Sequence, residues 1–442
     1  MDIDVIFFMN IVLLSQKLDS FCSTISENTS LTFFIKIGDL LKPIRFIHAA
    51  DLHLGGKFKD FQNLPKVYSE FLNKSGYVAF RKLIDTAIHE QVDFVIFAGD
   101  IYNVEDKNLK AQVEFQKGMK RLNDHSIPAY VIHGNHDFLG GTKFNLSLPD
   151  NVCVFSKKVE HKQLTTNDGA IVELVGFSYG QNQISEKMVE QYEKLGRADY
   201  SIGILHGNFG GRAEHGNYAP FTISDLRTKD LQYWALGHIH KRDVISTSPY
   251  AVYPGSLVGR NRKETGEKGF YLVTLDGVEC KLDFIEVAEV KWQEKVIFFE
   301  EVQGFDSLIV EIQKKLHELK NSGTSVLLQL QLDFSKCENV DHSILKEEEI
   351  LRALQNEEDE EFPFIWIHRL ELNLPKGNLE PGHIIYDLHE VANQMKNSEM
   401  REIISPLTSH VDLSKNDIFA DLDDELLRDL MEEAKAELLK QW

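Results

Sequence analysis

Five apolar segments of this chain break off abruptly at an aspartate, asparagine or histidine, and that repeated ending constrains the fold more than any other feature. Ile44–His48 leads to Asp51 and His53, and Asp93–Ala98 leads through Gly99 to Asp100. Ala129–His133 leads through Gly134 to Asn135 and His136. Ser201–Leu205 stops at His206, and Tyr233–Leu236 leads through Gly237 to His238 and His240. Continuous apolar runs of this length suit strands buried on both faces. Between the first three, Tyr77–Glu90 and Leu109–Leu122 carry apolar residues at helical spacing. Strand, helix, strand, helix, strand at this spacing predicts an α/β domain built on a mostly parallel sheet, whose ligands gather at the carboxyl ends of the strands. On an extended segment, positions i and i+2 face one side, so Asp51 and His53 are expected to aim at one point.

After Phe138 the rhythm changes to short strands separated by Gly and Asn/Asp turns. Tyr250–Pro254, Gly269–Leu275 and Lys281–Val287 read as a β meander, and a domain boundary is expected near Ala288–Lys291. Beyond it, strands at Lys295–Val302, Ser325–Phe334 and Phe364–Leu374 alternate with helices at Asp306–Lys320 and Ile344–Gln355, a small separate α+β unit over 291–375. The acidic run Glu357–Glu361 reads as a solvated loop, and Leu374–Asn378 as a linker. Residues 376–442 are expected to be helical over Ile384–Asn397 and Ile418–Lys440. The second stretch lines up Phe419, Leu422, Leu426, Leu430, Ala434 and Leu438, with Leu427 and Met431 beside them. Residues 1–43 do not match the rest. They read as an appendage, either an over-long start or a docking segment, before a catalytic domain over 44–290.

Composition excludes several classes. The 442 residues, 43% hydrophobic and 26% charged, suit a soluble globular protein of more than one domain. Four scattered cysteines without a C-x-x-C argue against a disulfide framework or zinc–thiolate site and fit a reducing cytoplasm. No apolar run reaches membrane-span length, and Asp2 and Asp4 precede the most apolar one, unlike a signal peptide. The net charge of −21 is uneven: residues 1–299 carry 34 Lys+Arg against 37 Asp+Glu, and residues 300–442 carry 14 against 32. The near-neutral part is the one with the strand-end residues, so the acidic total does not argue against a nucleic-acid partner.

Taken singly, each strand-end residue has a bland reading. An Asp after a strand caps a helix or forms a turn, and a lone His there is more often a satisfied core or surface group. Together, Asp51, His53, Asp100, Asn135, His136, His206, His238 and His240 form a mixed oxygen and nitrogen set that suits Mn²⁺, Fe²⁺ or Zn²⁺. Two such ions close together need a bridging carboxylate, for which Asp100 is the candidate.

The series Asp-x-His, Gly-Asp, Gly-Asn-His-Asp, a later His, and Gly-His-x-His resembles the calcineurin-like metallophosphoesterase superfamily. Within it, His48-Ala-Ala-Asp-Leu-His53, Gly134–Asp137, Ala235–His240, and Tyr253-Pro-Gly-Ser256 with Glu264–Gly269 are similar to the DNA-repair exonuclease branch of SbcD- and YhaO-like proteins. The resemblance spans about residues 44–375. It implies a metallophosphoesterase β-sandwich flanked by helices, a capping domain after it, and C-terminal helices that dock on an SbcC-like coiled-coil ATPase. It further implies a two-metal site, usually Mn²⁺, with Asp51, His53 and His240 on one ion, Asn135, His206 and His238 on the other, and Asp100 between them. His136 would stabilise the transition state and help the leaving oxygen depart, with Asp137 orienting His136. The ions would activate water and clamp the phosphate for in-line attack. A homodimer is also implied.

DNA would be held through its phosphates, and the cluster Arg260-Asn-Arg-Lys263 (Arg260, Arg262, Lys263) is the best basic candidate for that contact. The leading expectation is a Mn²⁺-dependent DNA repair nuclease. A nucleotidase or cyclic-nucleotide phosphodiesterase is the second reading, which the long C-terminal extension disfavours. A non-catalytic scaffold of the ATPase complex is the third, which the intact ligand set disfavours.

Overall fold

The computed structural model describes residues 41–374 apart from 59–60, 62–63, 104–108, 141–145, 197, 211–217, 321–322, 338–344 and 357–361, together with 391–408 except 393 and 427–434 except 433. The expectations for residues 1–40, the acidic run Glu357–Glu361, and Phe419, Leu422, Leu426 and Leu438 fall outside those residues. By its contacts the chain divides into two units, the main division along the sequence falling between Glu289 and Val290.

The first unit holds two six-stranded sheets. Strands β1 (Ile44–Ala49), β2 (Phe94–Ala98), β3 (Ala129–Ile132) and β4 (Val152–Val154) run parallel. The antiparallel pair β11 (Gly269–Asp276) and β12 (Glu279–Glu286) extends this sheet beyond β1. The second sheet has the order β5 (Glu160–Thr165), β6 (Ile171–Gly176), β7 (Tyr200–His206), β8 (Tyr233–Gly237), β10 (Tyr250–Tyr253), β9 (Asp243–Thr247). Its four middle strands are parallel to one another.

Alternation along the strands explains the layers. In β2, Phe94, Ile96 and Ala98 point at the second sheet and join Ile202, Ile204, Tyr233 and Ala235 in a dry core. Phe46 of β1 stacks on Phe94 at 4.9 Å and meets Tyr233 edge-on at 5.3 Å. On the outer face Phe97 packs on Phe115 and Phe80, which belong to the helices α2 (Leu109–Asp124) and α1 (Lys66–His89). A strand with apolar contacts on both sides reads as a continuous apolar run, which is why β2 is conspicuous in the sequence.

The alternating pattern alone points to one parallel sheet, whereas the family resemblance implies a sandwich flanked by helices, and the structure has the two sheets of that sandwich. The expected meander is also corrected: Tyr250–Tyr253 pairs with β8 in the second sheet, while Gly269–Asp276 and Glu279–Glu286 edge the first. Hydrophobic period marks a strand but not which sheet it joins. Helix α1 starts at Lys66, eleven residues before the expected start, and its added turns bury Tyr68, Leu72 and Ser75.

In the second unit, β13 (Val290–Phe298), β14 (Ser325–Asp333) and β15 (Ile365–Asn373) form a fully parallel sheet. The helices α4 (Phe305–Lys320) and α5 (Glu347–Asn356) are its crossovers, after the short α3 (Ile223–Arg227) of the first unit. The unit therefore alternates strand and helix, rather than segregating them as α+β implies. Ile312, Leu316, Ile350 and Leu354 cover Leu328, Leu330 and Ile367. A helix α6 spans Asn397–Thr408, beyond the stretch expected to be helical. Pro406 deprives the Glu402 carbonyl of its helical donor, and the Ser405 hydroxyl donates to it instead at 2.9 Å. In the last helical stretch Leu427 is buried while Leu430 and Ala434 are exposed. No described helix is long and apolar enough to cross a membrane.

Candidate metal centre

The parallel strands of both sheets end at the same place. The Asp51 amide donates to Gly99 O at 3.1 Å, tying the turn after β1 to that after β2. The Gly207 amide donates to Gly237 O at 3.1 Å and joins the ends of β7 and β8. The His206 ring crosses between the sheets, its Nδ1 2.9 Å from Ala98 O. The Gly237 position leaves no room for a side chain, because a Cβ there would collide with the Ala98 carbonyl.

All eight strand-end residues come together here. His53 and Asp100 are 3% and 1% exposed, Asp51 1%, His206 0% and Asn135 9%. Asp51, His53 and His240 bring ligand atoms within 4.8 Å of one another, and so do Asp51, Asp100 and His206. Asp100 Oδ2 lies 3.3 Å from His206 Nε2 and 3.7 Å from His53 Nε2, so this carboxylate faces residues of both groups. Asn135 Oδ1 is 3.1 Å from both His206 Nε2 and His238 Nδ1. His136 is exposed, its backbone N–H donates to Asp100 Oδ1 at 2.9 Å, and its ring lies 5.2 Å from that of His53.

The protonation pattern tests whether a cation belongs here. His53 Nδ1 faces Asn103 Oδ1 at 2.5 Å and His240 Nδ1 faces Glu264 Oε1 at 3.1 Å. With an acceptor on each Nδ1, the ring protons sit there. With both rings neutral the two Nε2 atoms oppose lone pairs across 3.1 Å, which a metal ion would relieve, as would a proton on His240, whose ring burial lowers but Glu264 and Asp51 raise. His206 differs, with Nδ1 on a carbonyl and Nε2 toward Asp100 and Asn135 oxygens: a proton on each nitrogen satisfies it without an ion, and a metal ion would take the place of the Nε2 proton. Acceptor opposed to acceptor in a buried site calls for a cation between them, and the carboxylate, imidazole and amide donors suit divalent metal ions.

The electrostatics agree. Burial pushes the Asp51 carboxyl up to about 6. Burial works against charge on Asp100 as well, yet His206, His53 and His136 hold its carboxyl well below the usual range. Burial likewise opposes a charged His206, but Asp100 and Asp51 carry that ring up to about 9. Burial and the Arg260 guanidinium lower His53, and burial and His206 lower His238.

Two assignments change. The Asp137 carboxylate accepts from Gly134 N–H at 2.7 Å and Ile101 N–H at 2.9 Å and sits 2.9 Å from His133 Nδ1. It thus braces the backbone that carries Asp100, Asn135 and His136, rather than holding the His136 ring. Arg260 turns inward: its Nη1 donates to His53 O at 3.0 Å. Arg262 is half-buried and Lys263 exposed in the same loop. Sequence reasoning missed Asn103, Glu264 and the fully buried His48, which bridges Tyr233 Oη and Leu236 O. Glu264 had a signal, since it opens the Glu-Thr-Gly-Glu-Lys-Gly stretch.

Residues 44–242 match the family model for calcineurin-like phosphoesterases. The chain is 35% identical over 384 residues to the uncharacterized metallophosphoesterase YhaO of Bacillus subtilis, covering 84% of this chain and 91% of that one. It is 26% identical over 301 residues to the DNA double-strand break repair protein Mre11 of Sulfolobus acidocaldarius, covering 66% and 75%. To the protein of the same name from Sulfurisphaera tokodaii it is 30% identical over 203 residues, covering 45% and 50%.

Proposed function

We propose that this chain, which belongs to the calcineurin-like metallophosphoesterase family, is a two-metal phosphodiesterase acting on DNA, a repair nuclease that uses Mn²⁺ and works beside a coiled-coil ATPase. Metal-dependent phosphoester hydrolysis comes with the family; DNA, Mn²⁺ and the ATPase are the finer reading. The observation that carries it is the convergence of buried acceptor atoms beside an exposed imidazole, His136, whose ring lies 5.2 Å from that of His53.

Asp51, His53 and His240 would hold one ion, and Asn135, His206 and His238 the other, with Asp100 facing both. When bound, two such ions supply Lewis-acid activation of water and neutralise the charge on a phosphodiester. The chain's own residues do the rest. The Asp100–His136 backbone bond fixes His136 at the mouth of the site, where its ring can donate a proton to the leaving oxygen or a hydrogen bond to a phosphoryl oxygen. Asp137 ties the turn after β2 to the turn after β3, the two turns that carry Asp100, Asn135 and His136. Asp51, His53, Asp100 and His206 are buried, which shields these proposed ligands from bulk water, while His136 is exposed. Arg262 and Lys263 remain the candidates for contact with DNA phosphates. The C-terminal helices would dock on the ATPase, and the catalytic unit would mediate a homodimer.

The test is a Mn²⁺-dependent cleavage assay on single- and double-stranded DNA with wild type and His136→Ala. The expected result is that the variant keeps its metals and loses at least about 100-fold in cleavage rate. A wild type that hydrolyses nucleotides but leaves DNA intact overturns the nuclease assignment, and equal rates in both proteins remove His136 from catalysis.

A further inference from the structure

The loop from Ser256 to Lys268 touches the centre at three points, none of which is a proposed ligand. The Lys268 ammonium, 3% exposed, donates to the His240 carbonyl at 2.8 Å. The Arg260 guanidinium donates to the His53 carbonyl at 3.0 Å. Between them the Glu264 carboxylate, 8% exposed, meets His240 Nδ1 at 3.1 Å. Glu264 is itself held: Oε2 accepts from the Ser256 hydroxyl at 3.1 Å and the Arg260 N–H at 3.2 Å, and Oε1 accepts from Asn261 Nδ2 at 2.5 Å.

The outward nitrogens of three proposed ligand rings thus have unequal partners. His53 has an amide oxygen (Asn103) and His206 a backbone carbonyl (Ala98), whereas His240 has a carboxylate. A carboxylate on Nδ1–H fixes the tautomer, orients the ring and raises the basicity of Nε2 more than a neutral acceptor does. Burial opposes charge on that carboxylate, yet His240 above all, with Arg260 and Lys268 after it, brings it down to about 2.

We infer that Glu264 is a positioning residue that, through His240, makes the Asp51/His53/His240 site the tighter of the two metal sites. This rests on the metal-site reading above. It also gives Arg260 a different task from DNA contact: the guanidinium braces His53 and Glu264 from within.

The experiment is calorimetric titration of the metal-free full chain with Mn²⁺, for wild type, Glu264→Gln and Ser256→Ala. Gln keeps the size and an acceptor oxygen but not the charge. Ser256→Ala removes one hydrogen bond to Glu264 and keeps the charge. Wild type is expected to bind two ions with distinct affinities. Glu264→Gln should weaken the tighter one about 10- to 100-fold and the other much less, while Ser256→Ala changes either less than about threefold. Imidazole ¹⁵N spectra should show His240 protonated on Nδ1 in wild type, with that proton's signal moved in Glu264→Gln. Equal weakening of both ions, or no weakening in a Glu264→Gln protein that still takes up two, overturns the inference and leaves the metal site standing. A wild type that takes up no divalent ion overturns both. Thermal melts of the metal-free proteins complete the test: a Glu264→Gln protein that melts several degrees below wild type and loses both ions assigns Glu264 a folding role only.

Discussion

At Asp51, His53, Asp100 and His238 the backbone turns left-handed, with φ of 50°, 41°, 51° and 99°. An L-residue there costs on the order of 1–2 kcal/mol. The extended geometry expected for Asp51 and His53 is therefore not what aims them; each side chain is set by a tight turn whose amide is caught by the strand end beside it, His53 N–H on Asp100 O at 2.9 Å. Stability is given up at the residues the chemistry needs. His53→Ala should weaken the Asp51/His53/His240 ion first and leave the other more tightly held; a titration in which both ions are lost together would contradict that division. His206 yields a pH prediction. Its ring, held near 9 in the metal-free protein, is protonated at pH 7, and an ion can bind only the neutral ring. Metal uptake should release close to one proton per chain from this residue, and apparent affinity should rise up to about tenfold per pH unit between pH 7 and 9. Calorimetry at pH 7 in buffers of different ionisation heat measures the proton count, and a count of zero would refute it.

Between elements, the buried His48 of β1 ties one sheet to the other, with Nδ1 3.0 Å from Tyr233 Oη and Nε2 3.1 Å from Leu236 O, both on β8. Burial pushes the ring from 6.5 down to about 3, although the bond to Leu236 works the other way. The folded state keeps it neutral, whereas the unfolded chain takes up a proton below about 6.5. Its contribution to stability is thus complete above pH 6.5 and falls by up to about 1.4 kcal/mol per pH unit as pH drops toward 3. His48→Gln removes that titration, so urea denaturation between pH 6 and 4 should show a pH slope smaller by about one proton than wild type. The join at the strand ends is equally confined. A Cβ at Gly237 meets the Ala98 carbonyl, and Gly237→Ala should cost about 1–3 kcal/mol, read as a lower urea midpoint in the metal-free protein. Such pairings were partly legible in advance. Strand ends stand out because an apolar run must stop where a polar ligand begins. The membership of Tyr250–Tyr253 in the second sheet was not, because period 2 is the same in either sheet.

Across the whole molecule, charge and chemistry separate. Every proposed ligand, with His136, Glu264 and the braces Arg260 and Lys268, lies in the unit ending at Glu289, while residues 300–442 carry 32 acidic against 14 basic side chains. A fragment spanning residues 41–289 should bind metal with the stoichiometry of the full chain; a fragment that folds, by circular dichroism, but binds fewer ions would show that the second unit completes the site.

The sequence by itself determined which side chains could serve as ligands and where each lies along the chain, because apolar run length and its polar terminus are local properties. It also determined the family, through short motifs that keep ligand order. Only the tertiary structure decided how the ligands are supported. Asn103 reaches His53 across 50 positions, and His240 is carried to His53 across 187. Asp137 braces two turns instead of the His136 ring, and Arg260 turns inward to a backbone carbonyl. A hydrogen bond depends on angle and distance between groups remote in the chain, and the spacing of residue types does not encode either one.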